Sequence, residues 1–161
     1  MSSNSKSPRT KKQLLIVDDH PMMRKGLLQL VEDERDLAVC GEADTAGQAM
    51  NLIGKCKPDL VLADITLPDK SGLELIKDLQ ALHPGLPVLV ISMHDESLYA
   101  ERVLRAGGRG YIMKQAGGEK MLEAIRRVLS GQFYVSENMS AKIFEGLSGR
   151  RSQAGGSPMQ T

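Results

Sequence analysis

The chain has 161 residues, 41% of them apolar, which suits one domain with tails, but with 3% aromatics and no Trp the core must be built from Leu, Val, Ile, Ala and Met. The formal charge of +1 is unevenly spread: Lys6, Arg9, Lys11 and Lys12 give residues 1–12 +4, residues 136–161 (three bases, two acids) add +1, and the middle is therefore about −4, which argues against a nucleic-acid surface in its own right. No apolar run approaches the ~20 residues of a membrane span, no apolar segment follows the basic N-terminus as in a signal peptide, and Cys40 and Cys56 have no Cys-x-x-Cys or histidine-partner spacing, so a soluble cytoplasmic protein with two reduced thiols is expected, with no membrane partner.

Residues 1–12 lack periodicity and are expected to be a disordered basic tail. Residues 13–17 (Gln-Leu-Leu-Ile-Val) read as a buried strand ended by Asp18-Asp19-His20. Pro21 suits a first helical turn, and Met23, Leu27, Leu30 and Val31 recur at helical spacing. Residues 37–43 form a second strand with Gly41 as its weak point. Thr45-x-x-Gln48 is a capping box opening a helix that Lys57-Pro58 closes.

Leu60 to Ala63 is an apolar run that stops on Asp64, a third strand buried on both faces. Pro68 and Gly72 make the loop after it, and Ser71-Gly72-Leu73-Glu74 opens a helix over about 72–82 with Leu75, Leu79 and Leu82 aligned. Pro87 to Ile91 is a fourth strand ending at Ser92, followed by a helix over about 96–106. Arg109 to Met113 is a short fifth strand ending at Lys114, and a helix over about 118–130 carries Leu122, Ile125 and Leu129 in register before Gly131 caps it. Residues 132–147 leave room for one more helix, with Met139, Ile143 and Leu147 at amphipathic spacing from 136 onward, and residues 148–161 have linker composition.

Strand–helix alternation five times over specifies an α/β, doubly wound parallel sheet with right-handed crossovers. In such a sheet the strand ends share one edge, where α/β proteins place their chemistry. That edge gathers Asp18, Asp19, Asp64, Ser92, Tyr111 and Lys114. Carboxylates held together repel, and a hard cation relieves them; magnesium takes one or two carboxylates, keeps waters and bridges to phosphate. A carboxylate can also attack phosphorus to form an acyl phosphate.

Each residue alone has a plainer reading. Asp18 could cap the first helix, Asp64 a turn, Lys114 could be a solvated lysine, Ser92 a loop residue and Tyr111 core. Their joint placement at strand ends separates the readings.

Asp18-Asp19, Asp64 followed by Pro68 and Gly72, Ser92, and Tyr111-x-x-Lys114 together resemble the receiver domain of a two-component response regulator, over about residues 12–131. Val17-Asp18-Asp19-His20-Pro21, the Ala106-to-Lys114 segment and Ile125-Arg126-Arg127-Val128-Leu129-Ser130-Gly131-Gln132 resemble the NarL/FixJ-type subfamily, whose members usually carry a LuxR-type helix-turn-helix after a linker. No such domain follows here, so a receiver separated from its output domain is expected, with a stand-alone receiver as the alternative.

The resemblance implies a (βα)5 flavodoxin/receiver-like fold with strand order 2-1-3-4-5. It implies Asp64 as phosphoacceptor from a sensor histidine kinase. It implies magnesium held directly by Asp19 and Asp64, through water by Asp18, and by the backbone carbonyl of Thr66. Lys114 and Ser92 would bind the phosphoryl oxygens, Tyr111 would follow inward, and the surface of the fourth helix, fifth strand and fifth helix would shift. A homodimer would then form through that face or through the first and last helices, and DNA would be reached only through an output domain. The protein is expected to be a switch, not an enzyme, beyond slow self-phosphorylation and self-dephosphorylation at Asp64.

His94, two beyond Ser92, is placed to tune dephosphorylation. His20 suggests a phosphodonor or a ligand, but with no partner histidine nearby it reads as a loop residue before Pro21. Gln115 stands where many receivers have proline with a cis bond, which leaves the geometry of that loop open, since a non-proline cis bond costs about 2.5–4 kcal/mol.

Three rivals fit less well. A phosphatase of the haloacid dehalogenase type would want an acid where Thr66 stands. A flavodoxin-like cofactor binder would want hydroxyls or glycines where Asp18-Asp19 stand. A pure interaction module would not need the acid set.

Overall fold

The computed structural model describes residues 11–145. Five parallel strands, β1 (Lys12–Val17), β2 (Leu37–Ala43), β3 (Leu60–Asp64), β4 (Val88–Ser92) and β5 (Gly110–Met113), form one sheet in the order β2-β1-β3-β4-β5. Five helices connect or follow them: α1 (Pro21–Glu32), α2 (Ala46–Cys56), α3 (Gly72–Leu82), α4 (Glu96–Ala106) and α5 (Gly118–Leu129). Lys12, expected in the tail, is the first residue of β1, and its N–H donates to Asp36 O at 2.9 Å.

Alternating residues of each strand face opposite layers. Leu15, Val17, Val61, Ala63, Val88 and Val90 pack under α2, α3 and α4; Leu14, Ile16, Leu60, Leu62, Leu89 and Ile91 pack under α1 and α5. Both faces are covered, which is why the central strands read as unbroken apolar runs. The β1–β2 register slips once, between Leu14 and Leu15, leaving Cys40 unpaired in the ladder. Cys56 Sγ donates to Cys40 O at 3.0 Å. Burial, with Cys56 alongside, pushes the Cys40 thiol up to about 12, which disfavours its thiolate.

The helix starts follow the sequence, with one change of partner. Ser71 Oγ accepts from Glu74 N at 3.2 Å and Thr45 Oγ1 from Gln48 N at 3.0 Å. The Gln48 side chain reaches back to Asp44 N at 2.9 Å, not to Thr45. A second acceptor reaches α2 from outside: Asp69, in the β3–α3 loop, takes the N–H of Ala46 and of Gly47, both at 2.9 Å. It thereby ties the loop after Asp64 to the neighbouring helix.

Beyond α5, Tyr134 runs beside β5. Its N–H donates to Arg109 O at 3.0 Å, and its carbonyl accepts from Tyr111 N at 2.9 Å. Residues 137–145 are helical, with Met139 buried in the same cluster as Tyr111 and with Ile143 packed against it. Ser136 Oγ donates to Glu96 Oε2 at 2.8 Å and accepts from Met139 N at 3.2 Å. The helix expected over 136–147 is therefore present as far as the described residues go. The linker expected over 148–161 and most of the basic tail lie outside them.

Candidate functional site

The site is the carboxyl edge of β1, β3, β4 and β5. Asp64 closes β3 and is 3% exposed; Asp18, just beyond β1, is 1% exposed; Ser92 closes β4 and is buried. Their placement follows from the strands: each apolar run is sealed by helices on both faces, so the first polar residue is the one at the open end. Gly72 keeps the β3–α3 loop tight. A Cβ there would lie 2.7 Å from Asp64 O and from Ile65 Cα, while Gly72 N donates to Ile65 O at 2.7 Å.

Lys114 lies between the two buried acids. Its Nζ is 3.0 Å from Asp64 Oδ2 and 3.1 Å from Asp18 Oδ2, and its side chain is 7% exposed. Neither carboxylate could be buried unpaired without a penalty of several kcal/mol per ion. The loop around Gln115 achieves this placement without a cis bond: every peptide bond among the described residues is trans, and Lys114–Ala116 form a single 3-10 turn.

The remaining groups are held from behind. Asp64 Oδ1 accepts from Thr66 N at 3.1 Å, which sets the Thr66 backbone beside the cluster. Ser92 Oγ accepts from His94 N at 2.9 Å, and the Tyr111 hydroxyl donates to His94 O at 2.7 Å. Tyr111 stands inward and buried in this structure. Burial pushes its phenol upward, offset in part by the Ser92 hydroxyl. His94 Nε2 is 3.1 Å from Thr66 Oγ1 and its ring tilts on Tyr99.

All the residues singled out in the sequence, Asp18, Asp19, Asp64, Thr66, Ser92, Tyr111 and Lys114, thus converge on one edge. His20, set aside there as a loop residue, joins them: its Nδ1 is 2.8 Å from Asp18 Oδ1. The signal for it was adjacency, since it shares a three-residue turn with two of the acids. Asp18 does not cap α1; it holds the turn, accepting from His20 N at 2.8 Å.

The donor set fits a hard cation. Two buried carboxylate oxygens, Asp18 Oδ2 and Asp19 Oδ1, have no hydrogen-bond partner among the described residues; the 3.1 Å approach of Lys114 to the first is an ion contact without hydrogen-bond alignment. A buried polar atom left so costs about 1–3 kcal/mol, more when charged. One ligand atom each from Asp18, Asp19, Asp64 and His20 lies within 4.8 Å of the others. Hard carboxylate oxygens are the donors that magnesium takes, one or two of them directly and others through its waters.

Residues 14–126 match the family described as the response regulator receiver domain. The chain is 36% identical to Response regulator GacA of Pseudomonas aeruginosa over 131 residues, covering 81% of this chain and 61% of that protein. It is 32% identical to the nitrate/nitrite response regulator protein NarL of Escherichia coli, covering 86% of this chain and 64% of that protein. The chain therefore spans about three fifths of the length of the curated relatives it matches. A crystal structure of a LuxR-family two-component response regulator from Aurantimonas superposes with a TM-score of 0.79 at 31% identity, covering 86% of this chain and 99% of that one.

Proposed function

The chain belongs to the response regulator receiver family, and from that premise we propose that it is a phosphorylation switch whose phosphoacceptor is Asp64. The observation that supports this most is the pairing of a buried carboxylate at a strand end with a buried lysine at 3.0 Å. A carboxylate oxygen of Asp64 attacks the phosphorus of a kinase phosphohistidine. The O–P bond forms, the P–N bond breaks, and the imidazole leaves with the electron pair and takes a proton from solvent. Asp18, Asp19, Asp64 and the Thr66 carbonyl would hold magnesium, which neutralises charge on the phosphoryl oxygens. Lys114 is already within reach of those oxygens and Ser92 is one strand away.

Phosphorylation adds about −1.5 to −2 charges and three acceptor oxygens at one point. Ser92 also holds the loop 93–95 through His94 N, so a Ser92 hydroxyl drawn toward the phosphoryl group pulls on the start of α4. Tyr111 links the same loop to β5. The output surface is therefore α4–β5–α5, where this chain's own residues 134–145 already lie. Homodimerisation on phosphorylation and control of transcription through a DNA-binding domain are proposed by likeness to the regulators above; a stand-alone receiver acting in a phosphorelay is the second reading. No helix of the described residues is long and apolar enough to cross a membrane, which suits a cytoplasmic place of action. Self-phosphorylation and self-dephosphorylation at Asp64 would be its only chemistry.

The test is intact mass after exposure to a small-molecule phosphodonor with magnesium. The wild type is expected to gain one phosphoryl group and Asp64→Asn none. No gain, or an equal gain on the variant, overturns the proposal.

A further inference from the structure

The turn between β1 and α1 puts an imidazole where a cation would be held. His20 Nδ1 lies 2.8 Å from Asp18 Oδ1, 3.3 Å from Asp19 Oδ1 and 3.4 Å from Asp64 Oδ2, an oxygen from each acid of the set. Lys114 Nζ is 3.2 Å from the same Nδ1. A ring nitrogen 2.8 Å from a carboxylate oxygen has a hydrogen between them, because an ionised carboxylate only accepts. The shorter contact assigns the proton to Nδ1; on the other tautomer Nδ1 would instead accept from Lys114 Nζ at 3.2 Å, and the two contacts exclude each other. An N–H nitrogen has no lone pair for a metal, so in this arrangement His20 is a donor to the acids and not a ligand.

The backbone supports the same placement. His20 N donates to Asp18 Oδ1, the oxygen that also takes the ring N–H. His20 is the extended N-cap of α1 with Pro21 next, so the turn is held apart from the ring. The side chain is 56% exposed, so the ring can rotate into water without moving α1.

We propose that His20 is a removable plug of the cation site. With the ring turned inward its N–H stands among Asp18, Asp19 and Asp64; magnesium binds only when the ring has turned out. Affinity is then reduced by the fraction of molecules with the ring outside, and one charge-assisted hydrogen bond biases that fraction roughly tenfold. The inference rests on the reading of the three acids as a magnesium site and adds an intramolecular competitor to it.

Magnesium titration of the full chain by calorimetry, with nitrogen-15 NMR of the histidine rings, tests it. His20→Ala is expected to bind magnesium roughly tenfold tighter than the wild type. His20→Gln, which keeps an N–H donor, is expected to fall between them. In the wild type the His20 ring signal should move toward that of a solvated histidine as magnesium is added. Unchanged affinity in His20→Ala overturns the plug, and weaker affinity makes His20 a ligand and overturns it equally. If neither the wild type nor His20→Ala binds magnesium, the magnesium reading falls and the plug with it. Binding that is lost in Asp19→Asn but indifferent to His20 refutes the plug alone.

Discussion

Tyr134 occupies the space that a side chain on Gly110 would need. A Cβ at position 110 would lie 2.8 Å from Tyr134 O and 2.9 Å from Leu89 Cδ1. The contact joins β5, which carries Tyr111 and ends beside Lys114, to the segment that leads away from α5.

Gly110→Ala should therefore destabilise the fold by about 1–3 kcal/mol, the usual result of overpacking against backbone. Urea unfolding measures the loss. Hydrogen exchange should speed up at the amides of Tyr111 and Tyr134, which hold β5 and the segment after α5 together. Unchanged protection there would show that the segment does not depend on the close approach.

Lys114→Ala removes the cation between two buried carboxylates. Leaving buried charge unpaired typically costs about 3–5 kcal/mol. Thermal unfolding should show the loss in the absence of divalent metal, and magnesium should narrow the gap to the wild type. The variant should also lose any association that depends on phosphorylation. A variant as stable as the wild type without metal would contradict the pairing.

Asp69 is held below the ordinary carboxylate value of 3.8, first by the N–H of Ala46 and then by that of Gly47. A lowered folded value means that its contribution is full above the unfolded value and is lost as pH falls through the lower folded one. Acid titration of stability should thus be shallower below about pH 4 in Asp69→Asn than in the wild type. Identical acid limbs for the two proteins would show that Asp69 does not stabilise the start of α2.

Tyr111→Phe removes the hydroxyl that donates to His94 O at 2.7 Å. The loss should be about 1 kcal/mol, that of one hydrogen bond. Exchange at the amides of residues 93–95 should quicken more than in β5. A uniform change across both would mean that the hydroxyl does not specifically hold the loop.

Much of this was legible in the sequence because each signal was local. Leu60 to Ala63 is apolar because both of its faces are covered, and that needs no knowledge of neighbours. Asp18, Asp19, Asp64, Ser92 and Lys114 could be brought to one edge by topology alone, since parallel strands all end on the same side. His20 was set aside because, beside its adjacency to Asp18 and Asp19, its placement depends on distances to Asp64 and Lys114, 44 and 94 residues away. Asp69 was missed because its partners are backbone N–H groups of another helix, which no side-chain motif records. Gly110 carried a hint: a glycine inside a strand often marks close approach by another backbone.

The sequence by itself determined the alternation of strands and helices, the parallel sheet and the set of acids at its edge, because hydrophobic periodicity and strand ends are properties of short stretches. Only the tertiary structure decided that Lys114 bridges Asp64 and Asp18, that His20 enters the acid cluster, and that Tyr134 pairs beside β5 while Ser136 and Met139 dock on α4 and the core. Those depend on side-chain reach across elements far apart in the chain, set by how the helices close over the sheet and not by any single stretch.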